Sequence, residues 1–166
     1  MWASLKKKTD IIFGRFPGPP FFYTFLSLVF GLLGYFVHPT LFILAGLCDV
    51  IDGAVARVRR QSSALGAFSD GLIDRFVDLL LVLRLPVTCI AKMLLLFFGF
   101  MPSYITAYAH HRGLKAAYTG LLGRPVRFVL LLALFVVPSA WPYALAGLIL
   151  ITLIRLWANL REPLGF

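Results

Sequence analysis

Five of the seven acidic residues of this 166-residue chain fall in one stretch, from Asp49 to Asp78. The chain around them is apolar and basic, with 60% hydrophobic residues and a net charge of +9. A carboxylate near the centre of a membrane helix costs about 2.5–3.5 kcal/mol on insertion scales. The fold must therefore bring these carboxylates to a place where something neutralises them.

The spacing of the aspartates predicts two helix faces that carry carboxylates. Asp49 and Asp52 are three residues apart. Asp70 and Asp74 are four apart, so each pair lies on one face of a helix. Two helices that face each other would gather four carboxylates, which repel one another unless a cation lies among them. Oxygen ligands of this kind suit Mg²⁺, Mn²⁺ or Ca²⁺. The alternative, that the aspartates form ordinary surface ion pairs, is disfavoured because the surrounding sequence is not typical of a protein surface.

Long apolar segments separated by prolines and basic turns predict an all-α integral membrane protein. We expect residues 1–20 to form a short amphipathic juxtamembrane helix on the cytoplasmic surface, because Lys6, Lys7, Lys8 and Arg15 are mixed there with apolar residues. Residues 21–166 are expected to form one domain of six transmembrane helices. The expected helices cover about 21–37, 40–57, 66–85, 86–109, 125–137 and the segment from 142 to the basic residues at 155–161.

The distribution of Lys and Arg predicts that both termini lie in the cytoplasm. Loops assigned to the inside carry nearly all basic residues, while the turns at His38 and at 138–142 carry none. The basic residues are spread between apolar segments, which indicates anionic lipid headgroups rather than nucleic acid. With this topology the two aspartate pairs lie at one depth, in a shallow cavity open to the cytoplasm.

The aspartates belong to a longer pattern of acidic, small and basic residues at fixed gaps. The pattern reads Asp49-x-x-Asp52-Gly53-x-x-Ala56-Arg57, then eight residues, then Gly66-x-x-x-Asp70-x-x-x-Asp74. It resembles the signature of the CDP-alcohol phosphotransferase family at all eight defining positions. The stretch Pro20 to Thr24 also resembles the family's Pro-Asn-x-x-Thr entry to the first helix, with Phe21 in place of the asparagine.

The resemblance implies an integral-membrane enzyme of phospholipid synthesis that takes a CDP-lipid donor (CDP-archaeol or CDP-diacylglycerol) and an alcohol acceptor, and releases CMP. Mg²⁺ or Mn²⁺, with two ions expected, would be held by Asp49, Asp52, Asp70 and Asp74. By the same resemblance Asp74 is the general base for the acceptor hydroxyl. The expected donor-binding residues are Asp49, Asp52, Gly53, Ala56, Arg57, Gly66 and Asp70.

Plainer roles remain open for some of these residues. Gly53 and Ala56 would let a nucleotide approach the backbone, or would only permit close helix packing. Arg57 would pair with donor phosphate or anchor the helix at the membrane interface. Asp78 lies outside the signature, and Arg75 three residues before it predicts a structural ion pair.

Three stretches resemble the branch of the family that transfers to inositol phosphate, namely Gly66-Ala67-Phe68-x-Asp70-x-x-x-Asp74-Arg75-x-x-Asp78, Ser103 to Ala109 and Arg124-x-x-Arg127. The resemblance implies an archaetidylinositol or phosphatidylinositol phosphate synthase, although Thr106 and Tyr108 replace two arginines of that branch. The expected acceptor-binding residues are Arg124, Arg127, Tyr104 and Lys115. Alternatives are glycerol phosphate or serine as acceptor, a CDP-inositol donor and, in another class, a cation transporter. We also expect a homodimer in the bilayer.

Overall fold

The computed structural model describes residues 12–13, 16–59, 64–111 and 124–161, and every regular element in these ranges is helical. The predicted all-α fold is thereby confirmed, while the predicted amphipathic helix at 1–20 falls mostly outside the described residues. Six helices of at least ten residues lie in these ranges: α1 (Pro20–Phe36), α2 (Leu41–Val58), α3 (Ala64–Arg84), α4 (Cys89–His111), α5 (Arg124–Ala133) and α6 (Trp141–Arg161). The chain forms two units, Met1–Arg84 and Leu85–Phe166.

Prolines and one threonine explain where several helices begin. Pro20 is the first residue of α1 and Pro125 the second residue of α5, positions where a missing N–H costs nothing. Thr88 caps α4, because its hydroxyl oxygen accepts the Ala91 N–H at 3.3 Å. This cap starts α4 at Cys89 rather than near Pro86, where the apolar pattern had suggested it.

Helix α5 is shorter than the sequence predicts, ending at Ala133 rather than near Val137. The following amides bond to carbonyls three residues back, Leu134 to Leu131 and Phe135 to Leu132. Such tight turns lead into the 3₁₀ turn Pro138–Ala140. The residue before a proline avoids the α conformation, so the helix cannot run on into Pro138. The apolar residues nevertheless continue through this turn, and the apolar pattern therefore extends beyond the end of the helix.

In the first unit, α1 packs along both α2 and α3, while α2 and α3 contact each other much less. Small residues of α1 allow this close approach. A Cβ at Gly31 would lie 2.9 Å from a methyl of Val77 on α3, and a Cβ at Gly34 would lie 3.0 Å from the ring of Phe42 on α2. The Ser27 hydroxyl also donates to the Ala45 carbonyl at 3.0 Å. Helix α1 thus sets the positions of the two helices that carry the aspartates.

In the second unit, α4 packs against α6 and contains an internal proline, Pro102. Pro102 has no N–H for the Phe98 carbonyl, and its ring crowds the preceding turn. Side chains from other helices contact the carbonyls of this turn: the Thr152 hydroxyl lies 3.5 Å from Phe98 O, and Arg127 donates to Gly99 O at 2.9 Å. Arg155 donates to the Pro102 carbonyl at 3.2 Å.

Two segments of the described residues are long and apolar enough to cross a membrane, Cys89–Ala109 and Pro138–Asn159, with mean hydropathies of 1.6 and 1.5. Pro20–Phe36 is a shorter apolar helix. The six predicted spans, and the prediction that 21–166 forms one catalytic domain, stay predictions.

Candidate metal centre and adjoining cavity

Three carboxylates from two helices meet in the first unit. Asp49 on α2 and Asp70 and Asp74 on α3 each place a carboxylate oxygen within 4.8 Å of the other two. Asp70 and Asp74 share one face of α3 because they are one helical turn apart. The structure therefore brings together three of the four aspartates that the spacing had assigned to a metal.

The geometry of this cluster suits a hard divalent cation. A magnesium ion binds oxygens at about 2.1 Å, which puts neighbouring ligands about 3 Å apart and opposite ligands about 4.2 Å apart. Oxygens within 4.8 Å of one another reach these separations with small side-chain movements. All three groups are carboxylates, the ligand type that Mg²⁺ and Mn²⁺ prefer. The cluster fits the predicted ion.

Asp52 stands beside this cluster with a partner of its own. Its side chain is only 4% exposed, and its Oδ2 accepts a hydrogen bond from the Thr24 hydroxyl of α1 at 3.0 Å. It shares the lining of a cavity with Asp70. Asp52 is therefore held in place by α1 while remaining next to the other carboxylates.

The cavity has a volume of about 370 Å³ and lies between the N-terminal end of α1, the C-terminal half of α2 and the start of α3. Six of the seven residues predicted to bind the donor line it, and the seventh, Asp49, belongs to the carboxylate cluster. The lining consists of Pro19, Pro20, Phe21, Thr24, Asp52, Gly53, Ala56, Arg57, Gly66, Ala67 and Asp70. A volume of this size is within the range of small-molecule sites.

Gly53 leaves room for the guanidinium group of Arg57 inside this cavity. A Cβ at Gly53 would lie 3.1 Å from the Arg57 Nη1 atom, one helical turn along α2. The guanidinium therefore lies over the glycine, and both residues line the cavity. The cavity thus presents a guanidinium beside its carboxylates, an arrangement that suits a phosphate bound together with a metal ion.

Helix α3 begins at Ala64, two residues before Gly66, so the glycine lies inside the first turn rather than at its start. Gly66 and Ala67 both line the cavity. At these two positions no bulky side chain from α3 enters the cavity beside Asp70.

The sequence interpretation assigned no site role to Thr24, Pro19 or Pro20, which the structure places in the cavity wall. The signal was the Pro20 to Thr24 stretch, since a hydroxyl one turn into α1 reaches Asp52. Asp78 takes the structural role that was predicted for it: Arg75 donates to its Oδ2 at 2.9 Å, and the ion pair is confirmed.

The residues predicted to bind the acceptor belong to the second unit. Arg127 is 4% exposed and donates to Gly99 O at 2.9 Å and to Ser103 Oγ at 3.2 Å. The Arg124 guanidinium lies 5.5 Å from the centre of the Phe128 ring. Tyr104 is exposed and stacks on Tyr108, and Lys115 lies outside the described residues. Their role in acceptor binding stays a prediction.

A family model for CDP-alcohol phosphatidyltransferases matches residues 19–160, which include every described signature residue. The chain belongs to the CDP-alcohol phosphatidyltransferase family. The membership agrees with the signature pattern. Enzymes of this family use a divalent metal ion, and the carboxylate cluster provides ligands that could hold one.

Among curated relatives, the chain is similar to archaetidylinositol phosphate synthase of Methanothermobacter thermautotrophicus, with 34% identity over 93 residues covering 54% of this chain and 47% of that protein. It is also similar to archaetidylinositol phosphate synthase of Aeropyrum pernix, with 31% identity over 100 residues covering 58% and 52%. An uncharacterized protein of Aquifex aeolicus is 31% identical over 136 residues, covering 72% and 69%. The chain spans about half the length of the two synthases that it matches. No solved structure matches the chain.

Proposed function

We propose that this protein is a membrane enzyme that transfers the lipid-phosphate group of a CDP-linked lipid to an alcohol and releases CMP. The observation that carries the proposal is one composite site: a cluster of three carboxylates beside a cavity that holds a guanidinium and small residues. The family membership supports the same reaction.

Two divalent ions, Mg²⁺ or Mn²⁺, belong to this proposal, with Asp49, Asp52, Asp70 and Asp74 as their ligands. Bound there, they would neutralise the negative charge that develops on the CMP phosphate as the pyrophosphate bond of the donor breaks. The carboxylate oxygens within 4.8 Å of one another support the ligand role of three of these residues. For Asp52, the support is its position in the cavity beside Asp70.

The donor headgroup occupies the cavity of the first unit. Ala56 and Gly66 let the nucleotide approach the helix backbones, since neither carries a side chain beyond Cβ. Gly53 contributes to the donor site by leaving the space that the Arg57 guanidinium occupies. Arg57 donates hydrogen bonds to a donor phosphate, because a guanidinium matches two phosphate oxygens at once. The position of Arg57 over Gly53 supports this role.

Asp74 removes the proton from the acceptor hydroxyl. The acceptor oxygen then forms a bond to the phosphorus that carries the lipid, and the bond from that phosphorus to the bridging oxygen of CMP breaks. The proton stays on the Asp74 carboxylate until it passes to water. Asp74 is 9% exposed, which supports a role shielded from bulk solvent.

The acceptor is inositol phosphate, bound through its phosphate by Arg124, Arg127, Tyr104 and Lys115. Two relatives that are archaetidylinositol phosphate synthases support this choice. Arginine forks bind phosphate oxygens well, and an uncharged alcohol would not need them. The donor lipid is archaeol or diacylglycerol, and the assay below compares the two.

The enzyme is a multi-pass membrane protein and a homodimer, with its site open to the cytoplasm. Two apolar helices support the membrane assignment, since only 17% and 22% of their apolar windows are buried, unlike the core helices of soluble proteins. The placement of basic residues in the loops around the aspartates supports the cytoplasmic orientation.

A direct test is to purify the protein, reconstitute it in vesicles and supply radiolabelled CDP-archaeol or CDP-diacylglycerol with Mg²⁺. We expect CMP release that depends on inositol phosphate and stops in EDTA. The same assay with glycerol phosphate, serine or CDP-inositol separates the alternative substrates. Transport of cations across the vesicle membrane, with no CMP release from any donor, would contradict the proposal and favour a transporter.

A further inference from the structure

A short segment ahead of α1 is tied to the end of α2 by one arginine. Arg59 donates from Nη1 to the Gly18 carbonyl at 2.6 Å and from Nη2 to the Phe16 carbonyl at 2.8 Å. The Tyr23 hydroxyl donates to the Pro17 carbonyl between them. Three consecutive carbonyls, from Phe16 to Gly18, are therefore held by side chains from α1 and the end of α2.

This segment leads directly into the cavity wall. Pro19 and Pro20, the next two residues, line the cavity that contains Asp52 and Arg57. Gly18 makes the bend before them with φ of +96°, a conformation that residues with a side chain rarely adopt. The segment has few backbone N–H donors, since prolines have none. Its position therefore depends on the side chains that donate hydrogen bonds to its carbonyls.

Apolar contacts also hold the residues on either side of this segment against α2. Tyr23 packs with Ile51 and Val55 of α2 in a buried cluster, and Phe13 lies against it. The Phe16 amide bonds back to the Phe13 carbonyl at 3.1 Å. The segment is thus fixed against α2 by this cluster and by Arg59.

We propose that Arg59 is a positioning residue for the donor nucleotide: by holding the Phe16 and Gly18 carbonyls it fixes the Pro19–Pro20 wall of the cavity. Arg59 itself does not line the cavity and is no part of the signature. The proposal rests on the proposed function, since it assigns the donor to this cavity. A general attraction to lipid headgroups is the competing role for an exposed arginine near a membrane. The two bonds from one guanidinium to two carbonyls of the same segment favour the positioning role.

Three variants separate these roles. Arg59→Ala removes both bonds and the charge, while Arg59→Lys keeps the charge but cannot reproduce the fork. Gly18→Ala disturbs the same segment without changing charge, because it forces a side chain into a left-handed conformation although an added Cβ meets nothing within 4 Å. The matched control is Arg84→Ala, which removes an exposed arginine from the last turn of α3.

The first measurement is steady-state kinetics of the reconstituted enzyme with varied CDP-lipid. We expect Arg59→Ala and Gly18→Ala to raise the donor KM about three- to tenfold, the scale of losing exposed charge-assisted hydrogen bonds. We expect kcat and the acceptor KM to stay near wild type, Arg59→Lys to be intermediate and Arg84→Ala to match wild type. An unchanged donor KM in both Arg59→Ala and Gly18→Ala would overturn the proposal, as would an Arg59→Lys variant with full wild-type KM.

The second measurement needs no activity and reports on the segment itself. The amides of Phe16 and Phe22 bond to the Phe13 and Pro19 carbonyls at 3.1 Å, so hydrogen exchange there should accelerate in Arg59→Ala while the middle of α2 is unaffected. Exchange at the wild-type rate would overturn the proposal even if the enzyme proves active. Absence of CMP release from the wild type would instead refute the proposed function, and the exchange result would still decide whether Arg59 holds the segment.

Discussion

The Thr24 hydroxyl donates a 3.0 Å hydrogen bond to Asp52 Oδ2, across the contact between α1 and α2. Both side chains are buried, with 5% and 4% exposure. A buried carboxylate that loses a hydrogen-bond donor is destabilised by about 1–3 kcal/mol. The orientation of a signature aspartate therefore depends on a helix that carries none of the aspartates.

This contact predicts the effect of removing one hydroxyl. Thr24→Val should lower kcat/KM for the donor by about tenfold, which corresponds to about 1.4 kcal/mol, because Asp52 loses its donor. Thr24→Ser keeps the hydroxyl and should stay close to wild type. Steady-state kinetics of both variants check the prediction, and a wild-type kcat/KM in Thr24→Val would show that the hydrogen bond does not matter for the donor.

The carboxylate cluster predicts the response to losing a ligand. Asp49→Asn and Asp70→Asn should each abolish turnover and weaken Mn²⁺ binding, because an amide replaces a charged oxygen ligand in a group of three. Mn²⁺ titration followed by electron paramagnetic resonance measures the binding directly. Asp78→Asn is the matched control, since Asp78 pairs with Arg75 and should leave Mn²⁺ affinity unchanged. Full activity in EDTA would contradict a metal role.

Asp74 should behave differently if it is the base. Asp74→Asn should lower kcat by about 10²–10⁴, the usual contribution of a general base, while a CDP-lipid analogue still binds. Its oxygen also lies in the cluster with Asp49 and Asp70, so the measurement must include metal affinity. Loss of donor and metal affinity with little change in kcat would assign Asp74 as a ligand alone.

The two arginines at the start of α5 should respond unequally. Arg124→Ala should raise the acceptor KM and lower the melting temperature only slightly. Arg127→Ala should raise the acceptor KM and also lower the melting temperature more strongly. Arg127 is buried and holds the Gly99 carbonyl and the Ser103 hydroxyl, and a buried group left without its partner costs about 1–3 kcal/mol. Lysine at 124 should restore the acceptor KM only partly. Wild-type acceptor kinetics in both alanine variants would remove the preference for a phosphorylated acceptor.

Close packing of α1 against α3 predicts a stability difference between two glycines. Gly31→Ala should lower the free energy of unfolding by about 1–3 kcal/mol, because the new Cβ would lie 2.9 Å from a branched Val77 methyl. Gly71→Ala on α3 meets nothing within 4 Å and should be neutral or stabilise by up to about 1 kcal/mol. Thermal unfolding in detergent compares the two, and equal melting temperatures would contradict the tight contact.

Much of the site follows from local spacing. The three-residue and four-residue gaps between the aspartates place each pair on one helix face whatever the rest of the chain does. The apolar segments between prolines predicted the six helices, and Pro125 marked the first turn of α5. The Arg75–Asp78 pair was likewise readable, since residues three apart on a helix are neighbours.

The remaining features depend on contacts between residues far apart in sequence. Thr24 reaches Asp52 across 28 positions, and Arg59 reaches Gly18 across 41, which no periodicity encodes. The end of α5 at Ala133 also escaped prediction, because apolar residues continue through the turn that follows. The sequence by itself determined which carboxylates share a helix face and which chemistry they suit, because helical geometry is local. Only the tertiary structure decided that Asp49, Asp70 and Asp74 form the cluster while Asp52 is held by Thr24, because that depends on how α1 packs between α2 and α3.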